Sequence, residues 1–107
     1  MFKWVNDEDL ERRISMTGVV AVAFVNDTEK ASRTFLDQFQ QVATAFDGVI
    51  PCYALSAQDN PTALMEHKVY KQPTTVLYRD GKEIARYEIL YGHQMLCERI
   101  IAALKKP

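Results

Sequence analysis

Two cysteines, two histidines, one charged segment and one proline before an apolar run carry most of the chemistry available to this chain. Cys52 and Cys97 lie too far apart in sequence for a local redox motif. Cys52 sits inside Val49-Ile50-Pro51-Cys52-Tyr53, with no cation nearby to lower its pKa, so it reads as a buried small hydrophobe. His93 and Cys97 are four residues apart and share a helix face. Both are acceptable zinc ligands, but a structural site needs four ligands and a catalytic site three. His67 belongs to a different helix, so no metal is expected. Cys97 is expected to pack inward with Ile100 and Ile101, and His93 to mark a helix start. Asp27, Glu29, Lys30 and Arg33 form a charged helix start in which the two acids meet the helix dipole. That tip is either a solvated face or a recognition surface. Gln72-Pro73-Thr74 places a proline just ahead of a strand, ordinarily a turn device. Tyr53, Tyr70, Tyr78, Tyr87, Tyr91 and Trp4 are spread over several elements with no basic groove beside them. They read as core and half-buried strand positions rather than a base-stacking platform.

The charge balance narrows the partners. Fourteen acids against 13 bases give a net charge of −1, which argues against a nucleic-acid footprint and a polybasic membrane surface. No apolar run approaches the roughly 20 residues of a membrane span. The opening MFKWVNDEDL turns acidic within ten residues, unlike a secretory signal, so a cytoplasmic protein is expected. With 48% hydrophobic residues and no repeat or Gly/Ser-rich linker, residues 1–107 read as a single domain.

The elements that must position these groups follow from periodicity. Phe2–Val5 reads as an edge strand, and Asn6 as the cap of a helix running to about Ser15, ended by Gly18. Val19–Val25 is a continuous apolar run, the mark of a strand covered on both faces. Asn26-Asp27-Thr28 is a polar break ahead of a long helix, with Ala31, Phe35, Phe39, Val42, Ala43 and Phe46 on one face. Asp47-Gly48 ends it. Val49–Leu55 is a second apolar strand, and Asn60-Pro61 opens a short helix through about Lys68. Thr74–Tyr78 and Lys82–Tyr87 form a hairpin around Asp80-Gly81, a pair suited to the positive φ angles of a type I′ turn. A last helix runs from about Gly92 to Leu104, with Cys97, Ile100, Ile101 and Leu104 on one face. Right-handed crossovers make the early strands parallel. The expected fold is α/β, a mixed central sheet of about five strands with helices on both faces.

In this order the residues resemble the thioredoxin family over nearly the whole chain. The likeness rests on Val22-Ala23-Phe24 followed by a short loop and long helix, on Asn60-Pro61, on Val69 four residues before Pro73-Thr74, and on Tyr78-Arg79-Asp80-Gly81. It implies a thioredoxin-like fold with a cis-proline at Pro73. It fails where the family's chemistry sits. Thr28-Glu29-Lys30-Ala31-Ser32 stands in place of Trp-Cys-Gly-Pro-Cys, so neither motif cysteine is present. Exchange requires an attacking thiolate and a resolving thiol, and Glu29 and Ser32 supply neither. The family's buried acid and its lysine partner fall at Ala23 and Ala54, and the glycine beside its substrate groove falls at Ile89.

The resemblance therefore implies a redox-inactive, non-catalytic thioredoxin-like protein without a cofactor. Its expected role is protein binding, as an assembly or chaperone-like module working through the cis-proline groove. Thr28, Glu29, Lys30, Gln72, Pro73 and Ile89 are the expected groove residues, with the backbone beside Pro73 free to pair with an extended peptide. The alternative is a glutathione-type small-thiol-binding protein or enzyme using Ser32 near Pro73, although such relatives carry an added helical domain. A further alternative is an assembly subunit docking through Ile89, Leu90 and Tyr91.

Overall fold

The computed structural model describes residues 1–106; Pro107, the last residue of the expected domain, lies outside the described residues. Along the chain run β1 (Lys3–Val5), α1 (Asp7–Ile14), β2 (Val19–Val25), α2 (Lys30–Ala45), β3 (Cys52–Ser56), α3 (Pro61–Glu66), β4 (Thr74–Arg79), β5 (Lys82–Tyr87) and α4 (His93–Leu104). The five strands form one mixed sheet in the order β1-β3-β2-β4-β5. β1, β3 and β2 are mutually parallel, while β4 runs antiparallel to both β2 and β5.

The central strand β2 explains how the layers assemble. Side chains on a strand alternate between faces. Val20, Val22 and Phe24 pack with Leu10 and Ile14 of α1, Ala63 of α3 and Tyr78 of β4. Ala21, Ala23 and Val25 point the other way, onto Phe35, Phe39 and Val42 of α2 and Leu96 and Ile100 of α4. Both faces are covered, and for that reason the run shows no polar alternation. The small alanines leave room for two phenylalanine rings, Phe35 and Phe39, stacked 5.7 Å apart. Fully burying one such ring stabilises the fold by roughly 1.5–3 kcal/mol.

Polar side chains join the elements at their ends. Asn6 caps α1, its Oδ1 accepting from the Asp9 N–H at 3.0 Å. Asn60 precedes Pro61 at the start of α3, but its side chain does not cap that helix. Its Oδ1 accepts from the Asp7 N–H, and the Asp7 carboxylate accepts from the Ala63 N–H, at 2.9 and 2.8 Å. The two helix starts thereby satisfy each other's orphan donors. In the hairpin, Asp80 and Gly81 have φ of 51° and 86°, the left-handed values the Asp-Gly pair favours.

Several expectations are corrected. Ala31 is exposed, and Ser32 is the buried residue of the first turn of α2. β3 begins at Cys52 rather than Val49, whose side chain stands in solvent. On α4 the buried stripe is Leu96, Ile100 and Ala103, while Ile101 is exposed and Cys97 and Leu104 are half-buried. Trp4 and Tyr70 are exposed, unlike Tyr53 and Tyr78. Among the described residues, no helix is long and apolar enough to cross a membrane.

Candidate functional site

Strand register brings the expected groove residues to one end of the sheet. Phe24, next to last in β2, pairs with Thr74 at the start of β4, and Thr75 pairs with Tyr87 at the end of β5. Segments 26–30, 72–73 and 88–91 thus leave the sheet side by side. Thr28, Glu29, Lys30, Gln72, Pro73 and Ile89 all belong to them. The Gln72–Pro73 bond is cis, Pro73 is buried and Gln72 is half-buried.

The loop after β2 is held by its own polar groups. Asn26 Oδ1 accepts from the Thr28 N–H and hydroxyl, and Asn26 Nδ2 donates to Glu29 Oε1 at 2.8 Å. The Ser56 hydroxyl donates to Asp27, Gln58 donates to the Thr28 hydroxyl, and Arg33 donates to the Thr28 carbonyl. Glu29 is the residue before α2 and makes no side-chain cap bond. The Ser32 hydroxyl accepts from the Asn26 N–H at 3.0 Å and is fully buried. It therefore shapes the loop and offers no accessible group to a bound thiol.

Beside this loop lies an open cavity of about 640 Å³. It is lined by Lys30, Ala31, Thr34 and Phe35 of α2 and by Leu90 and Tyr91 of the β5–α4 connection. Leu90 remains 53% exposed and the adjacent Ile89 63%, so two aliphatic side chains face solvent at the same end. Gln72 and Pro73 do not line this cavity.

The groups that could perform thiol chemistry lie elsewhere. Cys52 starts β3, at the opposite end of the sheet, paired with Ala21. It is buried, its thiol donates weakly to the Ile50 carbonyl, and desolvation pushes its pKa up to about 12. Burial also raises Cys97. Neither thiol is poised as a thiolate at neutral pH. Ala23 and Ala54 are register partners on β2 and β3, both fully buried, so this stretch of the core holds no proton-carrying side chain. His93 opens α4; its N–H and Nδ1 both meet Gln38 Oε1 at 2.8 Å.

One polar network is invisible in the sequence. On the α1/α3 face, His67 Nε2 meets Glu11 Oε1 at 2.5 Å and His67 Nδ1 meets the Tyr78 hydroxyl at 3.0 Å. Arg86 donates to the His67 and Lys68 carbonyls, at 2.6 and 2.9 Å, and to both carboxylate oxygens of Glu83. The Arg86 hydrogen bond holds Glu83 below the usual carboxylate range, and Glu83 in turn raises Arg86. Burial pushes Tyr78 well above an ordinary phenol, with the Glu83 charge adding to the effect. Donor atoms of Glu11, Glu66 and His67 lie within 4.8 Å of one another and are the residues that could hold a cation. His67 Nε2 is already engaged by Glu11, and the group supplies three donors where a closed structural site requires four. Only the adjacency of Glu66 and His67 signals this cluster in sequence; Glu11 arrives from 56 residues away.

No family model matches the chain, and no curated protein matches it.

Proposed function

We propose that this chain is a redox-inactive, thioredoxin-like protein that binds another protein at the end of the sheet where the three loops emerge. The strand order, with α1 and α3 on one face and α2 and α4 on the other, supports the thioredoxin-like assignment. Exchange chemistry has no support, because the loop end carries no thiol and both cysteines are pushed away from the thiolate form. The observation that carries the reading is the apolar cavity between α2 and Leu90-Tyr91, with Ile89 and Leu90 left in solvent beside it. Exposed apolar surface rimmed by polar groups suits a protein partner. Fold alone does not identify that partner.

The test is a photo-crosslinking amino acid placed at position 89 or, as a control, at position 49, in the native host. Val49 is 70% exposed and lies at the other end of the sheet. A discrete adduct from position 89 and none from position 49 is expected. Equal labelling from both, or none from position 89, contradicts the reading.

A further inference from the structure

A second cavity adjoins the one beside Lys30 at Gly92. Gln38 and Gly92 line both, and the second, of about 350 Å³, continues past Gln94 and Met95 to Glu98 of α4. The two make an interrupted trough between α2 and α4, crossed by the Gln38 side chain where it accepts from the His93 N–H. Its two halves carry opposite charge. Among the described residues, Lys30 is the only charged one lining the first cavity, and Glu98 is the only acid lining the second. Among the described residues neither takes part in an ion pair. By contrast Glu29, next to Lys30, is held by Asn26, and Arg99, next to Glu98, lies over the Tyr91 ring. Nor does α2 compensate Lys30, since its first turn holds no acidic residue.

We infer that this trough takes an amphipathic, extended segment of a partner protein, with an apolar side chain in the first cavity, an acidic residue over Lys30 and a basic residue beside Glu98. The inference rests on the protein-binding reading and assigns the chemistry of the bound segment. Lys30 and Gln38 lie eight residues apart on one helix, about 12 Å at 1.5 Å per residue. An extended chain covers that distance in about four residues at roughly 3.3 Å each. Glu98 lies past Gln38, so the acid and the base on the partner are separated by about four residues or more, with the apolar anchor between them. Phe35, Leu90 and Tyr91 receive the anchor, and Met95 lines the way to Glu98. A single small-molecule acid would satisfy Lys30 but leave the Glu98 half empty, which is why a peptide fits better.

The experiment selects a displayed library of random twelve-residue peptides on the full chain, then measures the affinity of the enriched peptides by fluorescence anisotropy. Enrichment of an apolar residue flanked by an acid and a base at this separation is expected. Lys30→Glu turns attraction into repulsion and weakens such a peptide about tenfold. Replacing the peptide's acid with lysine restores binding to Lys30→Glu and weakens binding to the unaltered chain. Lys30 is exposed, so this variant retains the fold. Enrichment of any other pattern, no enrichment, or affinity indifferent to the charge swap overturns the inference. Position-89 adducts that persist in that case leave the protein-binding reading standing; loss of those adducts with a working charge swap would separate the two the other way.

Discussion

The α1/α3 face and the loop end of the α2/α4 face treat their polar groups in opposite ways. On the first, Glu11, His67, Tyr78, Arg86 and Glu83 are bonded to one another or to backbone carbonyls, and they tie α1, α3, β4 and β5 together. On the second, Lys30 and Glu98 form no ion pair among the described residues, and Ile89 and Leu90 are left in solvent. A group that has its partners inside the fold contributes to holding the fold. A charge left free beside exposed aliphatic side chains is open to water and to a partner. On the proposed reading, the first region is scaffold and the second is the recognition surface.

That contrast can be broken by substitution. The largest effect on stability is expected from Arg86→Leu, which removes the donor to two backbone carbonyls and leaves Glu83 without its guanidinium. A loss of about 2–3 kcal/mol in urea unfolding is expected. No loss would show that the network is ornamental. Tyr78→Phe leaves His67 Nδ1 without its hydroxyl partner and should cost about 1–2 kcal/mol. It should also change the alkaline limb. A raised folded pKa gives stability that is present below the unfolded value near 10 and is lost as pH rises above it, so the phenylalanine variant loses less there.

A smaller effect belongs to Glu83. Its pKa is lowered on folding, so its contribution is present above the ordinary value of 4.5 and is lost as pH falls through the lower folded value. The side chain is 41% exposed, and solvent screening holds the effect to about 1 kcal/mol or less. Glu83→Gln should flatten the acid limb of a stability-versus-pH curve below pH 4.5; an unchanged limb would place that dependence elsewhere. The smallest stability changes, within about 0.5 kcal/mol, are expected for Lys30→Glu and Ile89→Gly. Partner binding should nevertheless fall, for Ile89→Gly by about fivefold through lost apolar contact. If these two unfold the protein or leave binding intact, the division between scaffold and recognition surface fails.

The sequence is most legible where a local rule decides. The apolar run of β2, the Asp80-Gly81 turn and the Asn6 cap each depend on neighbours a few residues away, and each is found in the expected place. On α4 two apolar stripes overlap, one through Leu96, Ile100 and Ala103 and one through Cys97, Ile101 and Leu104. Periodicity cannot choose between them, and packing against α2 selects the first. Ser32 defeated the pattern for another reason: its hydroxyl is needed inside, by the Asn26 N–H, so a polar residue takes the position an apolar one would fill. At the candidate site, the charged tip could be singled out by residue type, and Ile89 only through the family resemblance. The cavity could not, because it depends on how far α2 and the 88–91 segment stand apart. Glu11, His67, Tyr78 and Arg86 are brought together only by the tertiary fold.

The most direct test of the division is a map of backbone amide shifts as an enriched library peptide is added to the labelled chain. Shifts are expected at residues 28–38 and 89–98, with Glu11, His67, Tyr78 and Arg86 unmoved. Shifts centred on Glu11 and His67, with the trough silent, would contradict it.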